Sequence, residues 1–247
     1  MAYSDMTIRD SNPIKRWLQR RRLADALRMV DPALLTKEAK ILDFGAGDGV
    51  LAQHIVTISS AEAWVYEPTP SLMMEARERL SGASRVKFVE NVAAVESSLF
   101  DYVFCLEVIE HLPEAETHAV LTDIDRLLKP DGVAIIGVPH EIFLPALLKG
   151  LFRISRRYGD FDASPGNILA ATLGRPPSPR PACEIAPGFS FHIHHLGFDF
   201  RLLERTLRAR FHLEDKWFSP FPQFGIGLNS EVYFLVRKEE QVDCAHR

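Results

Sequence analysis

Ile41-Leu42-Asp43-Phe44-Gly45-Ala46-Gly47-Asp48-Gly49 is the stretch on which the reading of this 247-residue chain turns. Ile41 to Phe44 is a short apolar run that ends at glycines, the pattern of a buried strand, and Val50 to Ile58 follows as a helix. The alternation then repeats. Ala63 to Tyr66 reads as a second strand and Ser71 to Leu80 as a helix stopped by Ser81-Gly82. Val86 to Val89 and Tyr102 to Leu106 are a third and a fourth strand, and Glu114 to Leu128 is a long helix broken by Pro130-Asp131-Gly132. Val133 to Val138 is a fifth strand. Strands and helices in alternation with short turns predict an α/β fold with a mainly parallel sheet. Ligands of such sheets bind at the carboxyl ends of the strands. That singles out residues 43–49, 67, 90–91, 105–111 and 138–141.

From His140 to Phe191 the alternation stops. Ile142 to Arg157 is apolar and basic, one or two helices, and Arg175 to Pro187 carries five prolines and reads as an extended loop. Asp199 to Arg210 predicts a helix, with strands at Phe211 to Phe218 and Glu231 to Arg237. Before the sheet, Ile14 to Val30 predicts a helix opened by Ser11-Asn12-Pro13.

The composition is that of an ordinary folded protein, 47% hydrophobic and 25% charged with a net charge of -4, which excludes a disordered chain and a wholly basic nucleic-acid coat. The charge is uneven. Residues 9–28 hold Arg9, Lys15, Arg16, Arg20, Arg21, Arg22 and Arg28 against Asp10 and Asp25, a local +5 that leaves -9 for the remainder. Such a helix either meets an anionic partner or packs its stems on the sheet. Cys105, Cys183 and Cys244 are far apart and show no CxxC spacing, so neither a disulfide framework nor a zinc knuckle is expected. The start of the chain lacks an apolar signal core, and no run approaches the ~20 apolar residues that span a bilayer. The expected setting is cytoplasmic and reducing.

The glycines let the backbone turn sharply and admit a ligand close to the main chain. Twenty residues beyond Gly47, Glu67 ends the second strand, where a carboxylate can accept from both hydroxyls of a ribose. A nicotinamide enzyme would use G-x-G-x-x-G, with a pyrophosphate at the helix start. Here the spacing is G-x-G-x-G with Asp48 inside the loop, and a carboxylate there would repel a pyrophosphate. It would tolerate the ammonium and sulfonium of S-adenosylmethionine.

At these residues the chain resembles the class I S-adenosylmethionine-dependent methyltransferases. Residues Ile41 to Gly49 look like their first motif and Glu67 like their ribose-binding acid. Phe104-Cys105-Leu106-Glu107-Val108-Ile109-Glu110-His111-Leu112-Pro113 looks like the end of their fourth strand, and Leu127-Leu128-Lys129-Pro130-Asp131-Gly132 like the turn before their fifth. The resemblance implies a Rossmann-like sheet of seven strands whose last strand is antiparallel. It also implies a single domain over 1–247, with an N-terminal helical cap (1–39), a donor-binding core (40–139), an insertion or acceptor lid (140–191) and a closing helix and strands (192–238). The implied donor-binding residues are Asp43, Gly45, Ala46, Gly47, Glu67, Asn91 and Glu107, with Asn91 or Glu90 standing where relatives place an adenine-binding aspartate.

The acceptor side is less specific. The Asn/Asp-Pro-Pro-Tyr/Phe motif of amino-group methylation is absent; Leu106-Glu107-Val108-Ile109 occupies its place, which argues against DNA and favours a hydroxyl. The candidate catalytic groups are His140, Glu107 and His111. Glu107, Glu110 and His111 form an E-x-x-E-H cluster that, with His192, offers four ligands for Mg²⁺ or Mn²⁺. Small-RNA 2′-O-methyltransferases and some quinone-pathway O-methyltransferases have a similar arrangement. In the alternative reading Glu107 hydrogen-bonds near the donor and His111 caps a helix. His192 and His194 are expected to share a face, either lining the acceptor pocket or lying on a loop.

The expected function is methyl transfer from S-adenosylmethionine to a hydroxyl of a small molecule or of a glycan or lipid-linked intermediate. The alternatives are metal-assisted O-methylation of an RNA ribose, a polyphenol or a quinone precursor, and a binding module that has lost activity. Ile142 to Arg157 would be either the lid of an apolar pocket or a segment lying on an anionic membrane.

Overall fold

The computed structural model describes residues 13–28, 30, 36–186 and 189–239. Arg9, Asp10, Ser11, Asn12, Pro187 and Cys244 lie outside them, as do the side chains of Ile14, Lys15, Arg16 and Leu18. After helix α1 (Pro13–Leu27) come β1 (Lys40–Phe44), α2 (Val50–Ile58), β2 (Glu62–Tyr66), α3 (Pro70–Arg79), β3 (Val86–Val89), β4 (Phe100–Leu106), α4 (Glu114–Leu127) and β5 (Leu128–Pro139). The chain goes on through α5 (Phe143–Arg157), α6 (Pro165–Thr172), a hairpin of β6 (Cys183–Ala186) and β7 (Phe189–Phe191), α7 (Phe200–Arg208), β8 (Phe211–Ser219) and β9 (Glu231–Lys238).

Seven strands form one sheet in the order β3-β2-β1-β4-β5-β9-β8. The first five pair in parallel, and β9 runs antiparallel between β5 and β8. The expected seven-stranded sheet with an antiparallel last strand is therefore present. Its middle strands are apolar on both faces because helices cover both sides. On one face Leu42 and Phe44 of β1 pack with Leu121 and Ile124 of α4 and Leu203 and Leu207 of α7. On the other, Ile41 packs with Leu51 and Ile55 of α2, Ala76 of α3 and Ala26 of α1. Each such fully buried aliphatic or aromatic side chain contributes about 1.5–3 kcal/mol.

Three boundaries differ from expectation. α4 stops at Leu127, and Leu128 already pairs with Phe100, because a residue before proline disfavours helical backbone and Lys129 precedes Pro130. α1 ends at Leu27, whose carbonyl accepts from Val30 N–H at 3.0 Å in a tightened last turn. The stretch 140–191 is more structured than its irregular sequence predicts, since α6 and the β6–β7 hairpin were not legible there and the proline-rich loop runs directly into β6. α1 docks through Asp25, which is 3% exposed; its carboxylate accepts from Ser219 Oγ at 2.6 Å and its carbonyl from Trp217 Nε1 at 3.2 Å.

α5 is fixed to the end of β5 by Glu141, which is 1% exposed. Its carboxylate accepts from Lys149 Nζ at 2.9 Å and from both terminal nitrogens of Arg153 at 2.9 and 3.0 Å. Burial alone would raise this acid, but the two cations hold it down at about 2. The folded value lies below the unfolded one of about 4.3. Its stabilisation is therefore complete above that pH and lost as the pH falls towards about 2. Glu141→Gln is expected to lower stability by about 2–4 kcal/mol at neutral pH, leaving two partly buried cations uncompensated. Urea unfolding should register the loss, hydrogen exchange in α5 should quicken, and the variant should lose less stability than the parent between pH ~4.5 and ~2. Equal acid sensitivity of both would remove Glu141 from this role.

Candidate functional site

The site forms where β1, β2, β4 and β5 end. Beyond Phe44 the backbone leaves the ladder, so its N–H groups need new partners. Gly45 and Ala46 donate to Tyr66 O at 2.8 and 2.9 Å, and Gly47 donates to Glu67 Oε2 at 2.9 Å. Glu67 Oε1 accepts from Thr69 N–H at 2.8 Å. The carboxylate thus ties the glycine loop to the start of α3, and each oxygen keeps lone-pair capacity for a hydroxyl. Gly45 and Gly47 take φ of 78° and 56°, the left-handed region that favours glycine. A Cβ on Gly45 would lie 2.4 Å from Val108 Cγ2, so the loop after β4 closes directly on this one.

Asp43, the last residue but one of β1, lies beneath the loop and is 4% exposed. Burial, with Glu67 and Asp48 nearby, pushes its carboxyl up to about 7 against the opposing hydrogen bond from the Ala52 backbone. Asp43 Oδ2 has no hydrogen-bond partner among the described residues. Asp48 does not present its charge to this space as the sequence argument supposed. Arg79 of α3 binds its carboxylate at 2.7 Å and its carbonyl at 2.8 Å, neutralising it on the helix side. Asn91 is exposed, and its Oδ1 caps the following turn by accepting from Ala93 N–H at 3.0 Å. Glu90 pairs at the surface with Arg77.

Glu107 follows β4 with φ 56°, a strained value for a non-glycine residue. Its carboxylate meets Arg22 of α1, which also lies 3.3 Å from Glu231 at the start of β9. Burial disfavours the charged Glu107, yet Arg22 holds its pKa at about 2. Burial raises the carboxyls of Glu110 and Glu231 well above their ordinary range, with the charge of Glu107 adding to it. Of these three acids, Glu107 is the one that carries its charge readily.

Beside it, Glu110 is fully buried and neither carboxyl oxygen has a hydrogen-bond partner among the described residues. His111 Nε2 lies 3.6 Å from Glu110 and 3.2 Å from His195 Nε2, while His111 Nδ1 meets the His192 carbonyl at 2.8 Å. A carbonyl only accepts, so Nδ1 carries the proton and the Nε2 lone pair faces His195. Phe191 stacks on His111 at 4.4 Å, and burial depresses His111 and takes His195 down to about 4. Glu110, His111 and His195 offer donor atoms within 4.8 Å of one another.

This corrects the expected ligand set. His192 supplies its backbone carbonyl and turns its ring to Pro181 O at 3.0 Å, and Glu107 is committed to Arg22. His194 lies 3.4 Å from Asp162, away from His192's ring partner. His140 is also not where a base would meet an acceptor from solvent. It is 0% exposed, enclosed by Phe143, Phe200 and Phe218, with Nδ1 on Asn229 O at 3.0 Å. Burial lowers it to about 4. Sequence reasoning did not find Glu231 or Arg180 as parts of the site. Arg180 donates to the carbonyls of Glu110 and His194, each at 2.6 Å, and so fastens the segment bearing His195 to the loop after β4. The partners of both are too remote in sequence for any local pattern to mark them.

A parallel sheet with a glycine loop after β1, an acid ending β2 and an antiparallel closing strand defines the class of nucleoside-binding methyltransferase folds. The methyltransferase-domain family model matches residues 15–159, and the chain belongs to that family, the class I S-adenosylmethionine-dependent methyltransferases. Among curated proteins, the ubiquinone biosynthesis O-methyltransferase of Xanthomonas oryzae pv. oryzae (strain PXO99A) is 34% identical over 99 residues, 38% of this chain and 40% of that protein. The protein of the same name from Xanthomonas axonopodis pv. citri (strain 306) is 33% identical over 111 residues, 43% and 45% of the two chains. The chain thus spans under half the length of these relatives. Two solved structures share the fold. The PH0226 protein from Pyrococcus horikoshii OT3 has a TM-score of 0.58 at 18% identity, with 96% of each chain covered. The Burkholderia thailandensis 1,6-didemethyltoxoflavin-N1-methyltransferase, with its named substrate and S-adenosylhomocysteine bound, has a TM-score of 0.55 at 19% identity, covering 91% of this chain and 81% of that one.

The contact of Gly45 with Val108 yields a test independent of any ligand. Gly45→Ala is expected to cost roughly 2–4 kcal/mol, from left-handed backbone strain and overpacking. Adding Val108→Ala should recover about 1 kcal/mol or more, a coupling readable from a double-mutant cycle in urea. Strictly additive losses would mean that the two loops do not close on each other.

Proposed function

We propose that the protein transfers the methyl group of S-adenosylmethionine to a hydroxyl of a small molecule or of a glycan or lipid-linked intermediate. The observation that carries the donor assignment is the unpartnered, buried Oδ2 of Asp43 beside the lone pairs of Glu67. A buried acid with one oxygen unsatisfied favours a bound cation, and the donor brings an ammonium and a sulfonium. Asp43 would face the amino end and Glu67 the ribose hydroxyls. Gly45, Ala46 and Gly47 would pass under the donor and leave it room, and Glu107 would stand at the reacting end. Asn91, already spent as a cap through Oδ1, would reach the adenine only through its amide nitrogen or after that bond opens.

In the reaction the S–CH₃ bond breaks as an O–CH₃ bond forms, and the hydroxyl proton leaves. The donor supplies an activated methyl group and a neutral leaving group, so alignment supplies much of the rate enhancement. Support for oxygen as the acceptor atom comes from the missing Asn/Asp-Pro-Pro-Tyr/Phe motif and from relatives named O-methyltransferases. Of the imidazoles, His111 and His195 are partly exposed, which makes them better placed than His140 to take the hydroxyl proton.

A second reading is favoured by one observation, the convergence of Glu110, His111 and His195. The Nε2 lone pair of His111, that of His195 once its Nε2 proton is displaced, and a carboxylate suit Mg²⁺ or Mn²⁺ less well than softer ions, but they suit a site completed by the vicinal hydroxyls of a catechol or ribose. A metal there would acidify the acceptor hydroxyl. The His111 ring is already oriented for this by the His192 carbonyl.

Isothermal titration should show S-adenosylhomocysteine binding to the wild-type protein, weakened roughly 10- to 100-fold in Glu67→Ala through loss of charged hydrogen bonds. Absence of binding would overturn the donor assignment. Donor with a labelled methyl group, incubated with small-molecule and lipid extracts, should label products as ethers; label in amines instead would overturn the hydroxyl assignment. For the metal reading, added Mn²⁺ should stimulate turnover, and a chelator or His195→Ala should remove that stimulation with S-adenosylhomocysteine binding unchanged. Chelator-insensitive turnover would exclude it.

A further inference from the structure

α5 carries two apolar stripes and buries one of them: Ala146 and Gly150 are buried, and Leu147 and Ile154 pack with Ala146, Ile168, Ala171 and Leu196. A helix that caps a domain turns its apolar stripe inward and its charges to water. Here Leu144, Leu148, Leu151 and Phe152, at i, i+4, i+7 and i+8, are 40, 53, 55 and 56% exposed. Lys149 and Arg153, on the opposite stripe, point inward to Glu141. The arrangement is held firmly, since Gly150 packs so closely on Ile168 of α6 that a Cβ would come within 2.5 Å. α6 adds Leu169 and the residue that caps its end, Leu173, 59 and 67% exposed and one turn apart. Isolated exposed apolar side chains need no explanation, but six on and beside two helices packed together do.

The stripe has a basic border. Arg156 lies over the exposed ring of Phe152 at 5.0 Å, and Arg157 is 48% exposed. Together with Leu148, Phe152, Lys149 and Arg153 these two line a shallow groove along α5. Neither α5 nor α6 contains an acidic residue. Of the nearest acids, Glu141 and Asp162 are buried and engaged by Lys149, Arg153 and Arg157, and Asp160, just beyond the end of α5, is exposed. Among the described residues no helix is long and apolar enough to cross a membrane. Apolar side chains bordered by arginines, with no acid among them, have the chemistry of a helix lying in the headgroup layer.

We propose that the outward face of α5, extended by α6, docks the protein on the surface of an anionic phospholipid bilayer. α5 begins four residues after the end of β5, on the edge of the sheet where the donor site lies, so a docked protein would face its site towards acceptors held in that bilayer. Only this purpose rests on the proposed lipid-linked acceptor; the surface itself does not.

The test is co-sedimentation of the full chain with vesicles of phosphatidylcholine alone and of phosphatidylcholine with phosphatidylglycerol, at low and high salt. Binding is expected to the anionic vesicles, to weaken with salt, and to fall about fivefold in Arg156→Ala. The double variant Leu148→Glu/Phe152→Glu should lose it, with S-adenosylhomocysteine affinity and melting temperature unchanged because both side chains are exposed. Failure of the wild type to pellet with anionic vesicles would overturn the proposal. So would a dimer in sedimentation velocity that the double variant dissolves while vesicle binding is absent, since the face would then belong to a second copy. Loss of S-adenosylhomocysteine binding by the wild type would count against the donor assignment and leave the vesicle result to stand by itself.

Discussion

The structure depends on how three N–H groups are satisfied once β1 leaves the sheet. Gly45 and Ala46 borrow the carbonyl that ends β2, and Gly47 takes the side chain of the next residue but one before Thr69. A buried backbone donor left unpaired would cost about as much as a lost hydrogen bond, so this stitching fixes the loop's path. The path in turn puts the loop's glycines against Val108 and leaves Asp43 beneath them without a full set of partners. Sheet closure and the ligand site are consequences of the same few hydrogen bonds.

The second constraint is charge. Asp43, Glu67, Glu107, Glu110 and Glu231 gather at one edge of the sheet, and five carboxylates in a partly dry space cannot all ionise. The molecule divides them. Arg22 reaches from α1 to stabilise Glu107, while Glu110 and Glu231 are pushed towards their neutral forms. α1 is therefore more than a lid, because its guanidinium sets which acid at the site is charged. The surplus of basic residues in α1 divides likewise: Arg21 pairs with Asp25 and Arg22 with the site. Both pack back onto the protein instead of facing an anionic partner.

The sheet and the donor loop were legible because their signals are local. Apolar runs ending in glycine, an acid twenty residues beyond Gly47 and prolines after helices each act through near neighbours. The errors at the site involve partners distant in sequence. Asp48 looked like a charge offered to the ligand until Arg79, thirty-one residues on, took it. His192 and His195 are separated by only three positions, and strand-like alternation cannot say which ring turns towards His111 in a segment that has left its strand. His140 sits at the right end of the right strand, but its ring is drawn inward by three phenylalanines from α5, α7 and β8.

α5 shows the same limit in its sharpest form. In sequence, Lys149 and Arg153 are one helical turn apart and would ordinarily mark the wet face, with Leu144, Leu148, Leu151 and Phe152 marking the dry one. The helix instead buries the stripe of Ala146, Leu147, Gly150 and Ile154, and a single buried carboxylate just before it draws Lys149 and Arg153 inward beside that stripe. Leaving Glu141 buried without its two cations would cost about 3–5 kcal/mol, which adds to the packing of that stripe on α6 in fixing how the helix is rotated. Ion pairs and apolar packing together set the orientation, and Leu144, Leu148, Leu151 and Phe152 are left as an unburied second stripe. A protein that exists only in water has no use for that outcome. One that works against an apolar surface gains a contact face from it, fixed by the same ion pairs that hold the helix to the end of β5.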